Sequence, residues 1–147
     1  MSEIPDADLA NVRELIENCE LRSIECYEIL ARRHDATKID GSEERDGQFS
    51  VTVQQRSDDE SFGVRLVGTA NMSIGEATAS IAGEYDLLNG CRPSQRTLQL
   101  FTNEVGVMTV FPYLREAIST ATSRVFGEPL LLPTVERGQI TIDVDEA

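Results

Sequence analysis

QFSVTVQQRSDDESFGVRLVGTANMSIGEATASIAGEYDL, residues 48–87, decides how this chain folds. Three stretches of it alternate in polarity. In 48–56, Phe49, Val51 and Val53 alternate with Gln48, Ser50, Thr52 and Gln54. In 62–74, Phe62, Val64, Leu66, Ala70, Met72 and Ile74 share one face, against Arg65, Thr69, Asn71 and Ser73. In 77–87, Ala79, Ile81, Tyr85 and Leu87 alternate with Thr78, Ser80, Glu84 and Asp86. A period of two is that of a half-buried strand. Asp58-Asp59-Glu60-Ser61 and Gly75-Glu76 predict short turns between the three. Strands joined this closely pair antiparallel, with one face on a core and the other wetter.

Upstream, Leu9, Val12, Ile16 and Cys19 fall on one face of a helix and predict it over 7–19, with Asp6 or Asp8 as its cap. Residues 21–31 have two apolar faces. Ile24, Cys26 and Leu30 point one way on a strand, and Tyr27 and Ile29 point the other. That reading makes it a fourth strand, covered on both sides; a helix continuing from residue 7 is the competing reading. Residues 32–47 form a long polar loop whose sizeable apolar group is Ile39.

Downstream, Pro93-Ser94 opens a helical segment striped by Leu98, Phe101 and Val105, which Gly106 weakens. A second helix is expected over 109–126, with Pro112 in its first turn, Leu114, Ile118, Ala121 and Val125 on one face, and Gly127 as a left-handed cap. Leu130, Leu131 and Leu132, held between Pro129 and Pro133, cannot be helical. They are extended and must either pack or bind something. Ile140, Ile142 and Val144 alternate with acids and read as a late strand or an acidic tail.

A chain of 147 residues fits one domain, 1–147, with 1–6 and 143–147 as loose tails. Its net charge of −13 opposes binding to nucleic acid or to anionic membrane surfaces. No apolar run is long enough for membrane insertion, and acids stand where a secretory leader is basic, so a cytoplasmic location is expected. Cys19, Cys26 and Cys91 fit neither a zinc site nor a redox pair and read as free thiols.

Catalytic constellations are lacking. His34 is the sole histidine, Asp58-Asp59-Glu60 lacks the spacing of a calcium loop, and no phosphate-cradling glycine loop occurs. The expectation is a non-enzyme with no metal and no cofactor. A small hydrolase, with His34 and two acids in a closed pocket, is the rival. Apolar groups in unusual places, Tyr27 and Ile29 on a two-faced strand and the leucine triplet, suggest instead a groove for extended polypeptide.

Residues 109–133, TVFPYLREAISTATSRVFGEPLLLP, resemble the hallmark of the SecB and SecB-like chaperone family. The matching positions are Phe111, Pro112, Tyr113, Arg115, Glu116, Ser123, Arg124, Pro129, the three leucines and Pro133. Ser73 to Ala79 resemble the family's turn between strands three and four.

The resemblance implies an α+β fold: a four-stranded antiparallel meander sheet with helices packed on one face and, as in SecB-like relatives, an N-terminal helix before strand one. It implies an ATP-independent holdase, assembled as a homodimer or homotetramer. Its partners would be unfolded preproteins, with docking to the SecA export motor, or an antitoxin. Client contacts are expected at Tyr27, Ile29, Ile39, Leu130, Leu131 and Leu132. Tyr113, Arg115 and Glu116 would order the helix and the subunit contacts. Glu25, Glu28 and Glu84 are the expected motor contacts.

Overall fold

The computed structural model describes residues 4–35 and 47–146; Ile39 lies outside them. Strands β2 (Gln48–Ser57), β3 (Ser61–Asn71) and β4 (Gly75–Leu87) are the alternating stretches, paired as successive antiparallel hairpins. Strand β1 (Cys19–Arg33) lies antiparallel on the free side of β4, giving the order β1-β4-β3-β2. Helix α1 (Asp6–Glu17) precedes it; α2 (Gln95–Phe101) and α3 (Val107–Phe126) follow the sheet.

One face of the sheet meets the helices. Phe62, Val64, Leu66, Ile81 and Tyr85 join Phe101, Val110, Leu114 and Ile118 in a single buried cluster. The Phe62 and Tyr85 rings stack at 4.8 Å, and Phe101 meets them edge-on at 5.2 and 5.3 Å. Each buried side chain of this size contributes roughly 1.5–3 kcal/mol, so this cluster holds helices and sheet together.

The first hairpin turn is built by Asp58. Its Oδ1 accepts from the backbone N–H groups of Glu60 and Ser61, both at 2.8 Å. Those donors hold its carboxyl below the usual carboxylate range. The acids at 58–60 thus serve a turn. The second turn falls earlier than Gly75-Glu76: Met72 and Gly75 exchange backbone hydrogen bonds at 2.9 and 3.2 Å, ending β3 at Asn71.

Helix α1 buries Asp8, Val12 and Leu15 and leaves Ile16 exposed, so the packed stripe is rotated from the expected one. Neither Asp6 nor Asp8 caps it: the N-cap is Pro5, without a side-chain bond. Asp8 instead pairs with Arg96 of α2 at 2.6 Å, an interaction that lowers its pKa. Its contribution to stability is complete above the ordinary aspartate value near 4 and is lost as pH falls through the lower folded value. In urea unfolding at pH 7, 4 and 2.5, Asp8→Asn is expected to be less stable than wild type at pH 7, with the difference vanishing at the lowest pH. A gap that persists there would show that the ion pair is not its source.

Gly106 does not end the helix. The chain runs helically from Gln95 to Phe126 through a π-turn, Thr102–Gly106, so Pro112 lies inside α3 and not in a first turn. A Cβ on Gly106 would come 2.7 Å from Val64 Cγ2. Glycine is there because the helix touches the sheet. Gly127, at φ 87°, closes α3 as expected.

The acidic end is neither a strand nor loose. Residues 140–146 are irregular, but Asn103 Oδ1 accepts from Ile142 N at 2.8 Å and Gln99 Oε1 from Asp145 N at 2.7 Å.

Candidate polypeptide-binding site

Thr122 positions the leucine segment. Buried in α3, its hydroxyl donates to the Ile118 carbonyl at 2.7 Å and accepts the Leu130 N–H at 2.8 Å. From that anchor the extended chain alternates. Leu132 is 2% exposed and sealed in the core, Leu131 is 64% exposed, and Leu130 is half-buried against the core. Leu132 was expected to meet clients; the period of two turns it inward instead.

Leu131 borders a cleft of about 390 Å³ between α3 and this segment, walled by Met108, Phe111, Pro112, Arg115 and Val135, with Glu116 and Ser119 at its edge. Phe111 is largely buried and also walls the cleft. Sequence reading missed Met108, Ser119 and Val135. The signal was present, since 108, 111, 115 and 119 repeat at helical spacing. Apolar walls with one cation and one anion can take an apolar side chain from an extended chain.

Strand β1 offers a second surface. It is an edge of the sheet, so among the described residues no strand pairs with its outer side. Leu21, Tyr27, Ile29 and Leu30 on it are all exposed, against the expectation of cover on both sides. Its faces also differ from the simple alternation. The pairing of Cys26 with Ile81 and of Glu28 with Ser80 leaves Tyr27 as an extra residue, a β-bulge. Past the bulge the phase inverts: Ile29, opposite Ala79, joins Ile24 and Cys26 on the helix side, and Leu30, opposite Thr78, is on the outer side.

Tyr27 itself lies on the outer face, its ring 4.4 Å from the Arg65 guanidinium carbon, while Arg65 Nε donates to Ser80 Oγ at 2.6 Å. Neither Tyr27 nor Ile29, on the outer and helix sides of β1, lines the Leu131 cleft.

The expected motor acids separate. Glu25 and Glu28 are exposed on β1. Glu84 is 6% exposed and bound to Arg56 Nη2 at 2.5 Å, which corrects its reading as a surface acid. A buried carboxylate is kept by its cation, and Arg56 in turn has its pKa raised by that bond.

Arg115 and Glu116 line the cleft, and Glu116 accepts from Thr120 at 2.9 Å; Tyr113 is exposed on α3 outside it. His34 sits with Asp35, Arg32, Arg33 and Glu76 around an open recess of about 310 Å³. Glu76 is bound there to Arg32 at 2.5 Å, and among the described residues no serine or cysteine lines the recess. That is not the closed pocket a hydrolase needs.

The cysteines are free. Burial, helped by the nearby Cys91, pushes the Cys19 thiol up to about 11, while Cys26 is exposed on β1. Because the thiolate is the nucleophile, iodoacetamide at pH 8 is expected to label Cys26 at least about tenfold faster than Cys19. Equal rates by peptide mass spectrometry would contradict the packing around Cys19.

No family model matches the sequence. The chain is 30% identical over 139 residues to the SecB-like chaperone SmegB of Mycolicibacterium smegmatis, covering 93% of this chain and 90% of that protein. This chain belongs to the SecB-like chaperone family. A solved structure of the Mycobacterium tuberculosis SecB-like chaperone Rv1957, in complex with a ChAD peptide from the HigA1 antitoxin, aligns at a TM-score of 0.74 with 19% identity, over 87% of this chain and 98% of that one. The shared fold comprises the N-terminal helix, the four-stranded antiparallel sheet and the C-terminal helices.

In this SecB-like chaperone, Phe111, Pro112, Arg115, Glu116 and Leu131 of the 109–133 hallmark all meet at the cleft. The hallmark is thus one physical object, a helix face and the extended segment folded back along it. No helix of the described residues is long and apolar enough to cross a membrane.

Proposed function

We propose that this SecB-like chaperone is a cytoplasmic holdase that binds a non-native polypeptide without ATP, and that its preferred client is an antitoxin-type chain with a disordered apolar segment. The observation that carries the reading is Leu131, 64% exposed beside an apolar cleft. A leucine held out on a pinned backbone gains roughly 1.5–3 kcal/mol when a partner covers it. Leu130 borders the same segment, and Ile29 with Tyr27 gives the β1 edge apolar flanks for an added strand. Surrounding acid keeps such a surface soluble.

The antitoxin reading is favoured because the aligned Mycobacterium tuberculosis chaperone is complexed with an antitoxin peptide. The export reading has less support, since Arg56 sequesters Glu84 and leaves only Glu25 and Glu28 of the three acids in reach of a motor. Self-association into a dimer or tetramer completes the proposal, with Tyr113 at a subunit contact. No step in it requires catalysis, a metal or a cofactor.

The test is aggregation of a denatured substrate, followed by light scattering without nucleotide, beside calorimetric binding of antitoxin segments and unrelated unfolded chains. Suppression, with tighter binding of the antitoxin segment, is expected. Unchanged scattering and no binding would end the proposal.

A further inference from the structure

Residues 140–145 lie along α2 and the π-turn, held there largely through their main chain. Asn103 grips the main chain of Ile142 twice: its Oδ1 accepts the N–H at 2.8 Å and its Nδ2 donates to the carbonyl at 3.0 Å. One turn earlier, Gln99 Oε1 accepts the Asp145 N–H at 2.7 Å and Arg96 donates to the Asp145 carbonyl. Arg96, Gln99 and Asn103 recur at spacings of three and four, so they project from one side of the helix. Together they satisfy main-chain donors and acceptors at two points of the segment, residues 142 and 145, three apart. The segment's side chains alternate: Ile140, Ile142 and Val144 are half-buried, whereas Thr141, Asp143 and Asp145 are exposed.

Such a surface holds main-chain groups and half-buries alternate apolar side chains, features that an unfolded polypeptide segment can supply. The resident segment is set off from the leucine segment. It follows a tight turn in which Gly138 has φ 87°, Glu136 N bonds Gln139 Oε1 at 2.9 Å and Gln139 N bonds the Glu136 carbonyl at 3.0 Å. Leu132 and Val135, the buried anchors of the leucine segment, lie before that turn and do not depend on the hydrogen bonds that hold 142 and 145.

We infer that the Arg96–Gln99–Asn103 face is a main-chain-reading track for extended polypeptide, occupied at rest by residues 140–145 and vacated when a client of alternating apolar pattern takes it. This rests on the proposed holding function and adds a further client surface to the Leu131 cleft and the β1 edge. The resident segment then lowers the apparent client affinity by the fraction of time it covers the track.

The test uses the whole chain and, as probe, reduced and carboxymethylated α-lactalbumin, a permanently unfolded protein. Hydrogen exchange is read at the Ile142 and Asp145 amides, with the Leu130 amide, bonded to Thr122, as the internal reference. Saturating probe is expected to speed exchange at 142 and 145 at least about tenfold while Leu130 stays protected. The variant Ile142→Asp/Val144→Asp, which unseats the segment, is expected to bind the probe about tenfold tighter. Probe binding with undisturbed protection at 142 and 145, or a variant that binds no tighter, overturns the track and leaves the holding function standing. Absence of binding by both proteins overturns the holding function and the track with it.

Discussion

Leu131→Asp is expected to weaken client binding about a hundredfold, or roughly 2.7 kcal/mol, with the melting temperature unchanged. The side chain is 64% exposed, so its removal leaves no cavity and alters stability by no more than about 0.5 kcal/mol. In a complex, however, the leucine is covered. Its burial is worth roughly 1.5–3 kcal/mol. A carboxylate in its place must in addition be desolvated against Phe111, Pro112 and Val135, with Glu116 nearby to repel it. Leu131→Ala removes only the first contribution and is expected to cost about tenfold. Calorimetric titration of both variants with an antitoxin segment gives the order wild type, Ala, Asp. Wild-type affinity in the aspartate variant would show that the cleft does not receive clients.

The second large effect is on the fold. Gly75 opens β4, where a Cβ would stand 2.1 Å from the Arg32 carbonyl oxygen and 2.7 Å from Phe126 Cε1. The first of these is backbone and has no side-chain torsion with which to yield. Gly75→Ala must therefore push the end of β1 off β4, where Arg33 pairs with Gly75, or tilt the end of α3. About 3 kcal/mol of destabilisation is expected, a drop of about 10 °C in Tm for a domain of this size. Gly83→Ala is the control. Its Cβ would meet Val110 Cγ2 at 3.0 Å, a side chain that can shift, and it should lose about 1 kcal/mol. Urea unfolding ranks the two. Equal, small losses would mean that β1 does not press on β4 at that point.

The contrast between Leu131 and Gly75 follows the division between what could and could not be read ahead of the structure. The meander of β2, β3 and β4 was legible because alternation is a local property and each strand carries it in full. The end of α3 was legible because Gly127 adopts the left-handed conformation a cap requires. The extended leucine segment was legible because prolines at 129 and 133 forbid a helix.

Other features had no local signature. The inward face of β1 could not be followed past Tyr27, since a bulge is defined by the partner strand, and one extra residue exchanges every later side chain. Pro112 looked like the start of a helix because the π-turn before it is stabilised by contact with the sheet at Val64, far away in sequence. Glu84 looked like a surface acid because its cation, Arg56, is on another strand.

Sequence by itself determined that this chain forms an α+β domain of four strands and amphipathic helices, that residues 129–133 run extended, and that its 109–133 hallmark places it beside the SecB-like chaperones. Those properties arise from backbone sterics and from polarity repeating along one element. Tertiary structure alone decided that Leu131 faces solvent while Leu132 is sealed, that Tyr27 covers Arg65 on the outer face, and that Asn103 holds residue 142. Each of these depends on groups brought together from distant parts of the chain, and the free energy of such meetings is set by packing and pairing in three dimensions.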